Sequence, residues 1–469
     1  MPLSNPSQGV ESQLDDELAD IAGGRLESAA RKVAKSHQDI TYAKNDPQLT
    51  QRLPLISNWL KESHTRFAAH DVNGSLPSYA AEWMLDNFYI VEQALRQIAQ
   101  DLPDNYYAQL PKLRTESAGD TMPMQGLPRV YGLARAYLAH EKYNVEPARL
   151  QRYVAAYQTV TPLNMGEIWA LPIMLRLALL ESLGYAAGTL VHLFDTLPEF
   201  FTPLATRLDD EQIVARVIPG LRALDGQNWS EFFEEVSLVH QALCAEPSSV
   251  YANMDFASRD LYRTEIERLA RAAGFDELAV TQQAVTLAQR AGAQHGLTNG
   301  RAHTALSTLW NALSPECHVG YYLLDKGRAL LEANIGYRPR GLTALRRWLK
   351  RHPTGIYLGS AALLTLVLVA VAVWYAALHG AGLFMLGLVV LLSLAPTSTI
   401  ALNALNSLLT RLLEPSHLPK LDFSEGVPAD YRTMVVVPAL LAHVADIDSL
   451  CTQLEQHYLR NADGQLYTA

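Results

Sequence analysis

The residues able to do chemistry in this sequence stand in small groups. Asp255, Arg259, Asp260, Arg263, Glu265 and Glu267 lie within one short stretch, with carboxylates enough for acid–base work. Arginines interleave them, so the pattern predicts a surface ion-pair network of small energetic weight. Asp446 and Asp448 are spaced like a cation-binding pair, but they fall on an expected helix, where solvated carboxylates are the ordinary outcome. His64 and His70 are six apart. They do not share a helix face, unlike the pair of a zinc helix. Cys244, Cys317 and Cys451 form neither a disulfide framework nor a zinc spacing, and fit a reducing compartment. Trp83, Phe88, Tyr89, Tyr106, Tyr107, Tyr131 and Tyr137 could stack on a sugar, but their helical spacing predicts core packing. A Walker loop, a Rossmann glycine fingerprint and a nucleophile elbow are all lacking. The sequence therefore predicts no catalytic, cofactor-binding or metal-binding residue in this chain.

The elements around these residues are more informative. From Pro353 to Thr410 the chain has no Asp, Glu, Lys or Arg. A helical crossing of a bilayer takes about 20 apolar residues, so the run is long enough for two. The first is expected at 356–378 and the second at 382–402, a hairpin within 353–413. Trp374 and Tyr375 suit the membrane interface near the end of the first crossing. Gly355 and Gly359 form a small-xxx-small pair, which can allow close helix packing. Pro396 predicts a kink, with Ser393, Thr397 and Ser398 able to bond freed backbone groups. Arg338, Arg340, Arg346, Arg347, Lys350 and Arg351 crowd the entry to the run. By the positive-inside rule they set that side as cytoplasmic, and Arg411 and Lys420 place the far flank on the same side. Lipid is the expected partner of the hairpin, with headgroups against the basic cluster.

Residues 25–350 read as helix after helix, an irregular all-helical body on the cytosolic side, behind a mobile tail at 1–24. Within it Ile168–Leu180 is apolar enough to pass for a span. Arg176, Glu181 and Pro172 interrupt it, which predicts a helix buried in protein instead. Asn164 followed by Glu167 predicts a capping box at its start. Residues Val319–Tyr322 are expected to pack the body toward the membrane. Beyond the hairpin, 414–430 reads as a linker rich in proline. Met434–Val437 then predicts a fully buried parallel strand, and Leu440–Tyr458 a helix with Leu441, Val444, Ile447, Leu450, Cys451 and Leu454 inward. Residues 431–469 would thus be the first strand and helix of an incomplete α/β domain, and the chain a fragment. The fold class expected is mainly α. A formal net charge of −10 argues against nucleic acid as a partner, and the N-terminus lacks the pattern of a secretory signal.

Several long strings resemble a known family. They are SYAAEWMLDNFYIVEQALRQIAQDLPDNYYAQLPKL from Ser78, LPRVYGLARAYLAH from Leu127, GEIWALPIMLRLALLE from Gly166, VYANMDFASRDLYRTEIERLA from Val250 and HVGYYLLDKGRALLE from His318. Lys420–Pro428 and YRTMVVVPALL from Tyr431 complete the set. They resemble the N-terminal region of bacterial cyclic β-1,2-glucan synthases, up to the start of the glycosyltransferase domain. The resemblance implies an inner-membrane enzyme that transfers glucose from UDP-glucose, with a divalent metal ion, to a growing glucan. It also implies a phosphorylase-like region beyond the residues present. It assigns no catalytic residue here, because the acidic motifs of the donor site are not reached. The implied role is a membrane anchor and scaffold, inactive alone, whose partners are lipid and the remaining glycosyltransferase and phosphorylase-like domains, with glucan a further candidate. A non-enzymatic helical interaction module at the inner membrane is the alternative reading.

Overall fold

The computed structural model describes residues 24–42, 48–72, 79–114, 123–193, 197–198, 200–294, 314–339, 341, 344, 347–349, 352–412, 418–436, 444–461 and 463–468. Helices dominate, and the few strands are two or three residues long. The chain divides into two compact units, Met1–Ala252 with Arg263–Gly320, and Asn253–Tyr262 with Tyr321–Ala469.

The first unit holds α1 (24–36), α2 (Gln48–Val72), α3 (Tyr79–Asp101), α4 (Asp104–Tyr107), α5 (Arg129–His140), α6 (Pro147–Gln158), α7 (Met165–Leu190), α8 (Asp210–Asp225), α9 (Trp229–Val236), α10 (Leu238–Cys244) and α12 (Glu277–Gln294), while α11 (Phe256–Ala273) contributes residues to both units. Two short strands, β1 (Ile40–Thr41) and β2 (Lys112–Leu113), pair antiparallel, a small departure from the all-helical expectation.

Helix α7 is the axis of this unit. A helix apolar on every side must be enclosed, and α7 is buried along nearly its whole length, against α2, α3, α5, α8 and α9. The expected capping box is present: Asn164 Oδ1 accepts from Glu167 N at 2.8 Å and Glu167 Oε2 accepts from Asn164 N at 3.0 Å. Two glycines let neighbours approach its backbone. A Cβ on Gly184 would lie 2.6 Å from Phe201, and one on Gly188 2.7 Å from Trp59. Trp59 Nε1 uses that access to donate to Gly184 O at 2.8 Å. Of the aromatic group, Tyr107, Tyr131 and Tyr137 are fully buried, as core packing requires, whereas Tyr89 is exposed and Phe88 stacks on His64 at 4.2 Å.

The second unit holds α13 (Val319–Leu324, begun in the first), α14 (Arg328–Asn334), α15 (Pro353–Leu378), α16 (Leu383–Leu412), α17 (Val444–Arg460), β3 (Thr433–Val435) and β4 (Leu466–Thr468). Strands β3 and β4 pair in parallel, Thr433 opposite Leu466 and Val435 opposite Thr468. Parallel neighbours need a crossover, and α17 supplies it. Two expectations are corrected here. The first strand has a partner within the chain, and its residues Thr433–Val435 are exposed rather than fully buried. The helix is described from Val444 on, the expected start at Leu440 and Leu441 lying outside the described residues, and Ile447 and Cys451 on it are exposed rather than inward. Val437 and the side chain of Asp446 lie outside the described residues, and Asp448 sits on α17.

Candidate functional site: an apolar hairpin and its polar collar

Three helices among the described residues are long and apolar enough to cross a membrane: α7, α15 and, over Leu383–Arg411, α16. Protein encloses α7. The other two expose their apolar side chains, Leu366 and Leu391 among them, and no charged residue interrupts α15. At 1.5 Å per residue, α15 spans about 39 Å and α16 about 45 Å, against about 30 Å of hydrocarbon. Both exceed the lengths expected from sequence, α16 by some ten residues. Its extension carries Asn403, Asn406, Ser407 and Thr410, groups that lower the cost of leaving hydrocarbon for water.

The two helices pack against one another through a turn at 379–382, where Gly380 takes a φ of +80°. The ring of His379 bonds Tyr375 O at 2.8 Å. Trp374 and Tyr375 are exposed beside this turn. Ala361 and Ala401 are buried along the hairpin, and Tyr357 donates to Asn406 Oδ1 at 2.9 Å from α15 to α16. Gly355 and Gly359 are not a packing pair, since a Cβ on either would meet open space. Near Pro396, Thr397 donates to Ser393 O at 2.7 Å and Ser398 to Ala395 O at 2.8 Å, so these hydroxyls satisfy their own donors within the helix.

Of the basic cluster, Arg338 and Arg347 are described; Arg340, Arg346, Lys350 and Arg351 lie outside the described residues. Arg338 is exposed. Arg347 is held differently: its guanidinium donates twice to Glu332, at 2.5 and 2.6 Å, and Arg328 Nε donates to the same carboxylate at 3.0 Å. Glu332 is nearly buried. One carboxylate thus fixes two cations on the approach to α15, and the bidentate pair is the geometrically specific form of that contact. The spacing of Arg328 and Glu332, four apart, was the available sequence signal for half of it; Arg347 is fifteen away and gave none.

Several charged groups of the first unit are built into its core. Arg129 pairs with Glu167 and also donates to Pro162 O at 3.1 Å. Glu181 accepts from Tyr131 and lies 3.5 Å from Arg52 and 3.9 Å from Arg135. Burial pushes the Glu181 carboxyl up, against the pull of Arg52. Glu246 accepts from Tyr251 N at 2.6 Å, Val319 N at 2.8 Å and the His318 ring at 2.8 Å. Burial acts to raise its carboxyl, but the His318 bond and charge outweigh it and hold the carboxyl below its ordinary value. Glu277 accepts from Met165 N at 2.8 Å. There burial dominates and, with Glu267, Asp276 and Glu167 adding like charge, pushes the carboxyl up to about 7. Each of these carboxylates has protein donors for partners, the arrangement of a specified core rather than of an open reaction centre.

The group around Asp255 is not one network. Arg263 is buried, 3.1 Å from Glu234 and over the ring of Phe233, which corrects the surface expectation for that residue. Arg268 with Glu265 and Arg271 with Glu267 are the more exposed pairs, and Asp255 pairs with Lys420 at 3.3 Å. Among the described residues no three His, Cys, Asp or Glu side chains are grouped as metal ligands would be.

No family model matches the chain. The cyclic beta-(1,2)-glucan synthase NdvB of Rhizobium meliloti (strain 1021) is 31% identical over 482 residues, an alignment covering 86% of this chain. The chain is related to the cyclic β-(1,2)-glucan synthase family. It spans 16% of the length of that synthase. The alignment covers too much of this chain to be confined to one helix or motif, so the relation to the synthases extends across most of the elements described above.

Proposed function

We propose that this chain is the N-terminal anchor and scaffold of a cyclic β-1,2-glucan synthase. In this reading α15 and α16 cross the bacterial inner membrane as a hairpin, and both flanks lie in the cytoplasm. Outside the bilayer the β3–α17–β4 segment opens the glycosyltransferase domain, which takes glucose from UDP-glucose with the help of a divalent metal ion. The carrying observation is the order of parts: an exposed apolar hairpin ending at Leu412, then a parallel β–α–β unit beginning at Thr433. Parallel sheets are ordinarily covered on both faces, yet Met434, Val435, Val436 and Tyr467 are exposed. Such a unit has apolar surface for further strands and helices of a larger α/β domain. Glu167, Glu181, Glu246 and Glu277 in the body are bound to protein donors, which supports a scaffold role for it.

Three measurements test this. The purified chain is expected to sediment with membranes after alkaline extraction and to incorporate no glucose from labelled UDP-glucose. Tags at its two ends are expected to report the same face in inverted vesicles. Glucose incorporation by the chain alone, solubility without detergent, or tags on opposite faces would each overturn the reading.

A further inference from the structure

The ribbon that leaves the hairpin is held. Leu421 forms an antiparallel bridge with Met254. Around it Asp255 N donates to Lys420 O at 3.2 Å and Asp422 N donates to Asn253 O at 2.8 Å. Lys420 N donates to Ser258 Oγ at 2.9 Å, and Lys420 Nζ lies 3.3 Å from the Asp255 carboxylate. That carboxylate also accepts from Ser258 N at 2.9 Å, so Asp255 caps the start of α11 and holds the ribbon at once. A second clamp follows: Asp463 accepts from Val427 N at 2.7 Å and from Gln465 N at 2.8 Å, around Gly426 with its φ of +110°.

We infer that Asn253–Ser258 is a docking edge for the post-hairpin ribbon Lys420–Asp422, and that this latch confines the β3–α17–β4 unit close to the end of α16. Recognition is by strand addition: backbone bonds and the Asp255 carboxylate together supply the hold, and Ser258 supplies the register. The consequence is one of reach. About 20 residues separate Leu412 from Thr433, and a free tether of that length could extend roughly 70 Å. Latched at Lys420, the chain has about seven residues between Leu412 and the ribbon, a reach of at most roughly 25 Å, and about ten between the ribbon and Thr433. The role given to the β–α–β unit rests on the proposed function; the latch does not, and its test reads only the chain's own contacts.

The hydrogen bonds flank the Met254–Leu421 pair rather than joining its own backbones, which makes it the closer kind of antiparallel pair, with Cα atoms about 4.5 Å apart. That is within disulfide range. In the full chain with Cys244, Cys317 and Cys451 replaced by alanine, Met254→Cys with Leu421→Cys is expected to form a disulfide at least tenfold faster than Met254→Cys with Phe423→Cys. A ratio near one overturns the inference. The native chain supplies a second readout that needs no cysteine replacement. Hydrogen exchange at the Lys420 and Asp422 amides is expected to be slowed at least tenfold relative to a free peptide, and Asp255→Ala to remove most of that protection. Exchange of both amides at the free-peptide rate in the native chain overturns the inference equally, and so does protection that Asp255→Ala leaves unchanged.

Discussion

Replacing Glu277 with glutamine should stabilise the protein above neutral pH. The carboxyl sits at the start of α7, where a helix N-terminus favours an anion, and it accepts from Met165 N. Burial and the surrounding Glu267, Asp276 and Glu167 outweigh that advantage and raise it from 4.5 to about 7. The sign follows from proton counting. Unfolded, Glu277 ionises near 4.5; folded, it keeps its proton until about 7. Between those values the native state binds more protons than the unfolded state, so stability falls as pH rises through the window and levels off above it. At about 1.4 kcal/mol per pH unit, the full penalty is roughly 3 kcal/mol. Glutamine keeps an oxygen for Met165 N and carries no charge. Glu277→Gln should therefore lie within about 1 kcal/mol of the native chain at pH 5, exceed its stability by about 3 kcal/mol at pH 8, and flatten the slope between. Urea unfolding in detergent, followed by tryptophan fluorescence, reads this, since Trp169 of α7 stacks on Phe233 at 4.6 Å. Glu246 has a carboxyl held low by His318 despite burial. Its contribution is present above about 4.5 and lost only at more acid pH, so it does not contaminate the window. A variant less stable than the native chain at pH 8, or one that keeps the native slope, would refute the reasoning.

Other substitutions probe the hairpin, its collar and the core. Leu366→Arg places a charge mid-way along an exposed apolar helix; insertion of α15 alone should weaken by about 2.5–3.5 kcal/mol, near a hundredfold, in a translocon reporter assay. Glu332→Ala removes the carboxylate shared by Arg328 and Arg347 and should destabilise the second unit by about 2–4 kcal/mol, seen as faster proteolysis between α14 and α15. Gly188→Val drives a side chain into the Trp59 ring and should cost about 1–3 kcal/mol, or several degrees in the melting of the first unit.

Much of the architecture was legible because its signals were local. The charge-free run announced two long apolar helices, and Asn164 with Glu167 announced the start of α7 within a few residues. Misreadings came where the deciding contact was distant. Gly355 and Gly359 have a packing motif's spacing, yet the neighbouring helix approaches at Ala361 instead. Arg263 looked like a surface cation because its sequence neighbours are charged; Phe233 and Glu234, thirty residues back, bury it. The ribbon at Lys420–Asp422 read as a plain linker because its partners at Asn253–Ser258 are some 160 residues away. For strand β3 the apolar run was visible, but burial depends on what covers a strand, and no run of side chains encodes that by itself.

Helices α7 and α15 sharpen this point, since both are 26 residues long and apolar enough to span a bilayer. What separates them is three residues. Glu167, Arg176 and Glu181 on α7 would cost roughly 2.5–3.5 kcal/mol each for a deep position in a membrane, while inside protein each meets a matching group: Arg129, Asp225, and Tyr131 with Arg52. Burying such charges is tolerable only with those partners in place, so the helices that carry them had to assemble around α7. Helix α15 has no such residue and gathers no such shell; Ala361 is its one buried residue. Its exposed leucines and valines would each forfeit about 1.5–3 kcal/mol in water, a sum that few folded units of this size could offset. Lipid removes that penalty without asking for a partner. The same length of apolar helix is therefore enclosed as a protein core where paired charges are threaded through it, and left with its apolar side chains exposed, as the proposed membrane hairpin requires, where they are not.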